Sequence, residues 1–121
     1  MSSQSAAVDG TASDGFVPAE VLASTAPVGA VGLVRAKPGR REELVEKTAG
    51  IVALTRAESG CQQFAVHTKN DDPDMVVMYE RWDSGAALAA HLAQPFMLTF
   101  FAATEDLIAG FEGQWLTPSV P

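Results

Sequence analysis

The chain has 121 residues, room for about one domain, with 47% apolar and 19% charged residues, as in ordinary soluble globular proteins. Its net charge of −7 comes with no Lys/Arg cluster able to grip a row of phosphates, which argues against a nucleic-acid partner. One cysteine, Cys61, leaves no internal disulfide and suits a reducing compartment. No apolar run approaches the ~20 residues needed to span a bilayer, so no membrane role is expected. The first residues also lack the basic and apolar regions of a secretory signal, which makes the cytoplasm the expected address.

Residues 1–15 are small and polar, with little to bury, and their composition predicts disorder. Phe16, Val17, Val21 and Leu22 would share one side of a short helix started by Pro18, an arm that could dock on the body or on a neighbouring subunit. Ser24 to Pro27 reads as a linker, so residues 1–27 form a tail and residues 28–121 the folded domain. Val28 to Ala36 is Val-rich and reads as a first strand. Gly29 and Gly32 weaken a strand and mark places of close approach to the backbone. Their spacing does not make a dinucleotide fingerprint.

After the Lys37-Pro38-Gly39 turn, Leu44, Thr48, Ile51 and Thr55 recur at helical spacing and predict a helix from Arg40 to about Ala57. Glu43 is placed to pair with Lys47 at i+4, and Gly60 is expected to close the helix as its C′ residue. Gln62 to Lys69 alternates as a second strand, and the cluster from Asn70 to Asp74 predicts a turn. Met75 to Trp82 is a third strand. Its first five residues are apolar on both faces, which one layer of helices cannot cover, so a second subunit is expected on the other side. Ser84 caps a helix from Gly85 to Leu92, which Gln94-Pro95 interrupts. Pro95 starts a further helix to about Ala109, with Phe96, Phe100 and Leu107 on one stripe and Met97, Phe101 and Ile108 beside it. Phe111 to Thr117 is the last strand.

Strand, helix, strand, strand, helix pair, strand, with right-handed crossovers, gives the α+β class: a ferredoxin-like, four-stranded antiparallel sheet with helices on one face. The ordered set Val31-Gly32-Leu33-Val34-Arg35-Ala36-Lys37-Pro38-Gly39, Arg56-Ala57-Glu58-Ser59-Gly60-Cys61, Asp72-Pro73, Tyr79-Glu80-Arg81-Trp82 and Ala87-Leu88-Ala89-Ala90-His91-Leu92 resembles the antibiotic biosynthesis monooxygenase domain, over roughly residues 28–110. The resemblance implies a homodimeric α+β barrel joined through the sheet faces. It also implies one of several activities: cofactor-independent oxygenation of quinols or aromatic polyketides, haem degradation, or isomerisation. Haem-degrading relatives carry an axial histidine where this chain has Phe101, and an asparagine where it has Gly32. Both departures argue against haem. The sequence shows no metal-ligand spacing and no phosphate-cradling glycine loop, so no cofactor is expected.

Oxygenation without a cofactor needs a substrate that reduces O2 itself, as a deprotonated hydroquinone does. The protein must supply a base, hydrogen bonds to the developing phenolate and a dry apolar cavity. His91 is the candidate base, because an ordinary histidine titrates near neutrality. Strand alternation puts Glu80 and Trp82 on one face, the side expected to meet His91, and Tyr79 and Arg81 on the other. The relatives' pattern likewise keeps a Glu and a His here. The candidate catalytic group is therefore His91, Glu80 and Trp82, with Phe64, Phe96, Met97, Phe100 and Phe101 as candidate lining for a small aromatic substrate. Each has a plainer alternative. His91 could bond Glu80 or a backbone carbonyl and only lock the corner, and the Phe and Met stripes could be core. Arg81 would form a salt bridge to a neighbour, Tyr79 a dimer contact, His67 an exposed position and Cys61 a small buried one. A cofactor-free quinol-type monooxygenase leads, ahead of a non-enzymatic small-molecule-binding dimer module and an isomerase or dehydratase of a small carbonyl compound.

Overall fold

The structure is a computed structural model that describes residues 16–120; the expectation for residues 1–15 lies outside the described residues. A short helix α1 (Ala19–Leu22) precedes strand β1 (Val28–Ala36), helix α2 (Arg41–Arg56), strands β2 (Cys61–Thr68) and β3 (Met75–Trp82), helices α3 (Gly85–Leu92) and α4 (Pro95–Thr104), a 3-10 turn (Glu105–Leu107) and strand β4 (Ile108–Leu116). The strands lie in the order β2-β3-β1-β4, and each neighbouring pair is antiparallel. This is the ferredoxin-like arrangement expected from the sequence, with the helices packed on one face.

The helix-facing side of β1 presents Val28, Ala30 and Val34, all buried, opposite Trp82, Glu80 and Val76 of β3. Helix α2 lowers Leu44, Thr48, Ile51 and Thr55 onto this surface, each buried, at the spacing that predicted the helix. Thr48 and Thr104 donate their hydroxyls to Leu44 and Phe100 carbonyls one turn back, at 2.7 and 2.8 Å, so two polar side chains enter the core satisfied. The opposite side of the sheet carries Leu33 against Val77 and Val31 against Tyr79, all half-buried, with no helix over them among the described residues.

The Asn70–Asp74 region is a structural clamp. Asp72 takes the Arg35 guanidinium at 2.9 Å, Asp74 accepts from the Gly39 amide at 3.2 Å, and Arg41 donates to the Asp72 carbonyl at 2.8 Å. Gly39 at the first turn has φ 76°, a left-handed conformation that a side chain would strain.

Several local expectations are corrected. Helix α4 ends at Thr104, not Ala109, because β1 claims the chain early: Lys37 donates its amide to the Leu107 carbonyl at 2.8 Å, and Ala36 pairs with Ile108. Its buried stripe is accordingly Met97, Phe100 and Thr104, with Phe96 half-buried. Gly60 does not close α2 in a left-handed turn: Ala57 is the C-cap, and Gly39 alone among the described residues has a positive φ. Glu43 bonds Arg40 at 2.7 Å in place of Lys47; within the chain Arg81 donates to Gln62 at 2.7 Å. No single helix among the described residues is long and apolar enough to cross a membrane. The α3–α4 stretch reaches the necessary composition only as a pair bent by 61°, whose apolar side chains Leu88, Met97 and Phe100 are core.

Candidate active site

The site forms where the end of β3 meets α3. Ser84 accepts a hydrogen bond from the Ala87 amide at 3.1 Å and starts α3, the capping expected from its position. Gly85, Leu88, His91 and Leu92 form the buried side of that helix. Two features draw the loop after α2 onto it. The Asp83 amide donates to the Gly60 carbonyl at 2.9 Å, and Gly60 sits so close to α3 that a Cβ there would lie 2.4 Å from the Ala87 Cβ. The loop so placed delivers Glu58.

His91, 1% exposed, donates from Nδ1 to Glu58 Oε2 at 2.6 Å, a distance typical of a charge-assisted bond. The other Glu58 oxygen accepts from the Gln94 amide at 3.3 Å. The Trp82 indole lies over the imidazole, with ring centroids 4.7 Å apart and planes 32° from parallel, while Phe64 and Phe96 approach at 6.0 and 6.2 Å. The ring is therefore fixed in tautomer and orientation. With Nδ1 committed to Glu58, Nε2 is the nitrogen left for a ligand.

Glu80 is not the partner of His91. It accepts from the Trp82 indole N–H at 3.0 Å. Burial holds its carboxyl above the usual carboxylate range, an effect that nearby Glu58 reinforces and that His91 and the indole hydrogen bond oppose. Raised pKa values on buried carboxyls beside a histidine are the electrostatic pattern of proton-handling sites. Cys61 is half-buried, and its thiol is pushed up chiefly by burial, with Glu80 and Glu58 adding to the effect; it is held as a thiol, not a thiolate.

Between the helices and the sheet lies an apolar cavity of about 80 Å³. Its walls include His91, Glu80, Phe64, Met97, Phe100 and Phe101, six of the eight residues singled out in the sequence. Trp82 and Phe96 are not part of the lining; both stand beside the imidazole and fix it from behind. Phe16, Val17, Phe111 and Trp115 are also among the walls and were not assigned to the site by sequence. The Phe111-Gly113-Trp115 alternation in β4 carried a usable signal, since all three pair with the helix-facing residues Val34, Gly32 and Ala30 of β1. Glu58 offered none locally, being 33 residues from His91 in a segment that reads as a helix end.

The antibiotic biosynthesis monooxygenase family pattern matches residues 27–103. Among individual proteins, the chain is 30% identical over 97 residues to the probable quinol monooxygenase YgiN of Escherichia coli, a match over 72% of this chain and 93% of that protein. It is 24% identical to an uncharacterized Synechocystis protein, of which it spans only 61%. Of the solved structures, a Pseudomonas aeruginosa protein superposes with a TM-score of 0.74 at 29% identity, covering 78% of this chain and 96% of that one. A Mycobacterium tuberculosis protein does so with a TM-score of 0.73 at 26% identity, covering 79% and 98%. Sequence pattern and fold agree: the chain belongs to the antibiotic biosynthesis monooxygenase family.

Proposed function

We propose that the protein is a cofactor-independent monooxygenase of a small quinol or related polyphenolic aromatic. The observation that carries this reading is the His91 imidazole, held by Glu58 through Nδ1, at the wall of an apolar cavity that also contains the Glu80 carboxyl. Nε2 takes a phenolic proton as the substrate enters, and Glu58 stabilises the imidazolium that results. The electron-rich phenolate then reduces O2. One oxygen atom becomes bonded to the ring and the other leaves as water, so that a hydroquinone and O2 give a hydroxyquinone and one H2O. Glu80, kept towards its protonated form by burial, is suited to donating a hydrogen bond to a substrate oxygen. Trp82 acts as a positioning residue, since it touches both His91 and Glu80 from outside the cavity.

The working unit under this reading is a homodimer in the cytoplasm. Its support is the half-buried, apolar outer face of β1 and β3, and the dimeric barrel that the family resemblance implies.

An oxygen electrode with a panel of hydroquinones, naphthoquinols and anthrones tests the reading. Oxygen uptake well above autoxidation is expected, with His91→Ala slowing it on the order of 10²-fold while remaining folded. Uptake no faster than autoxidation across the panel would overturn it. Conversion of a small carbonyl compound without oxygen uptake would reassign the same proton-transfer groups to an isomerase, and ligand-induced thermal shifts without turnover would indicate a binding module.

A further inference from the structure

One wall of the cavity comes from outside the residues that match the family. Phe16 and Val17 precede the matched region, which starts at residue 27, yet both line the cavity with His91 and Glu80. Val17 is fully buried among Val28, Trp82, Leu88 and Leu92. The Phe16 ring packs on Phe111 with centroids 4.4 Å apart and meets Trp115 edge-on at 6.3 Å. The arm also has a shaped seat. The Gly85 amide donates to the Ser24 carbonyl at 2.8 Å, and a Cβ on Gly85 would lie 2.2 Å from the Val21 carbonyl oxygen and 2.5 Å from that of Leu22. Only glycine lets the backbone of α1 rest there.

The cavity, about 80 Å³ and partly open, is smaller than the roughly 150 Å³ apolar cavity known to admit benzene, so the more rings a substrate carries, the more it gains from a wall that moves. The sheet is tied by its ladders, and α2 and α3 are joined through Gly60, Asp83 and the Glu58–His91 bond. The arm is held differently. Among the described residues, the Ser24–Gly85 bond is the one backbone hydrogen bond that ties residues 16–24 to the body; the rest of the attachment is apolar packing.

We propose that the 16–24 arm is the movable wall of the substrate cavity, and that Phe16 sets the size of aromatic substrate it accepts. The proposal rests on the cavity being the substrate site. When the arm is seated, the Phe16 ring occupies the end of the cavity against Phe111 and Trp115, and single-ring phenols are favoured. Displacing the ring opens that end to fused rings.

The test uses the full chain and two probes, phenol and 2-naphthol, titrated calorimetrically into the wild type, Phe16→Ala and Gly85→Ala. Arm release is followed separately by cleavage after Glu20 with a glutamate-specific protease, read by mass spectrometry. Phe16→Ala is expected to shift the affinity ratio towards 2-naphthol at least fivefold. Gly85→Ala is expected to raise cleavage at Glu20 at least tenfold and shift the ratio the same way. If Gly85→Ala does not fold, Phe16→Ala, which changes a half-buried ring, carries the ratio test alone. A wild type that binds a phenol, with a ratio changed less than twofold in folded Phe16→Ala, overturns the arm's role and leaves the proposed function standing. A wild type that binds neither probe overturns both.

Discussion

The Glu58 carboxylate meets His91 Nδ1 at 2.6 Å, linking the end of α2 to the end of α3. A carboxylate on Nδ1 holds the proton there and leaves Nε2 basic, the tautomer a general base needs. Replacing Glu58 by Gln keeps a hydrogen-bonding group but removes the charge that stabilises the imidazolium. Glu58→Gln is expected to lower kcat for quinol oxidation on the order of 10²-fold with KM little changed. Unchanged kcat in a folded variant would assign the pair to structure alone.

Glu80 gives a prediction about stability. Its folded-state pKa lies above the ordinary carboxylate value because burial disfavours the charge. Such a group favours the fold fully below its unfolded pKa of about 4.3, and that contribution is lost as pH rises through the folded value. Glu80→Gln keeps an acceptor for the Trp82 indole without a charge to bury. Thermal melts from pH 4 to pH 8 should therefore show the variant gaining on the wild type as pH rises. A constant difference across that range would contradict the assignment.

Gly60→Ala tests the close approach that assembles the site. Its methyl would overlap the Ala87 Cβ, and relief requires α3 and the Glu58 loop to part. Overpacking of this kind costs about 1–3 kcal/mol, a loss of several degrees in melting temperature for a domain of this size. Activity should fall further than stability, because the same displacement lengthens the Glu58–His91 bond. Full activity in a folded Gly60→Ala would show that the site tolerates the shift.

The sheet's outer face predicts the oligomeric state. Leu33 and Val77 sit opposite each other on β1 and β3, on the side without helices. Sedimentation equilibrium of the wild type should give twice the chain mass, and Leu33→Arg should give one chain with its far-UV spectrum intact. A wild type that sediments as a monomer would remove the dimer from the proposed function.

The fold was legible because it rests on periodicity. The α2 stripe Leu44–Thr55, the two-faced β3 strand, the Ser84 cap and the break at Pro95 all appear in the structure where the sequence places them. So does the division of β3 into a Glu80/Trp82 side and a Tyr79/Arg81 side. What was not legible depends on tertiary geometry. The sequence offered Glu80 or a carbonyl as the His91 partner, but which carboxylate reaches the imidazole is decided by two loops pinned together at Gly60 and Asp83. Gly60 looked like a helix terminator, and its smallness serves a contact with Ala87 instead. The end of α4 is set by pairing with β1, which no local pattern reports.

Phe16 and its neighbours Phe111 and Trp115 lie near opposite ends of the chain. On the ribosome the arm therefore emerges well before the strand that receives its aromatic ring. Until β4 pairs with β1, Phe16 has no aromatic seat and that end of the cavity stays unwalled. Completion of the site thus waits on β4: the Phe16 ring is fitted only after that strand has paired with β1.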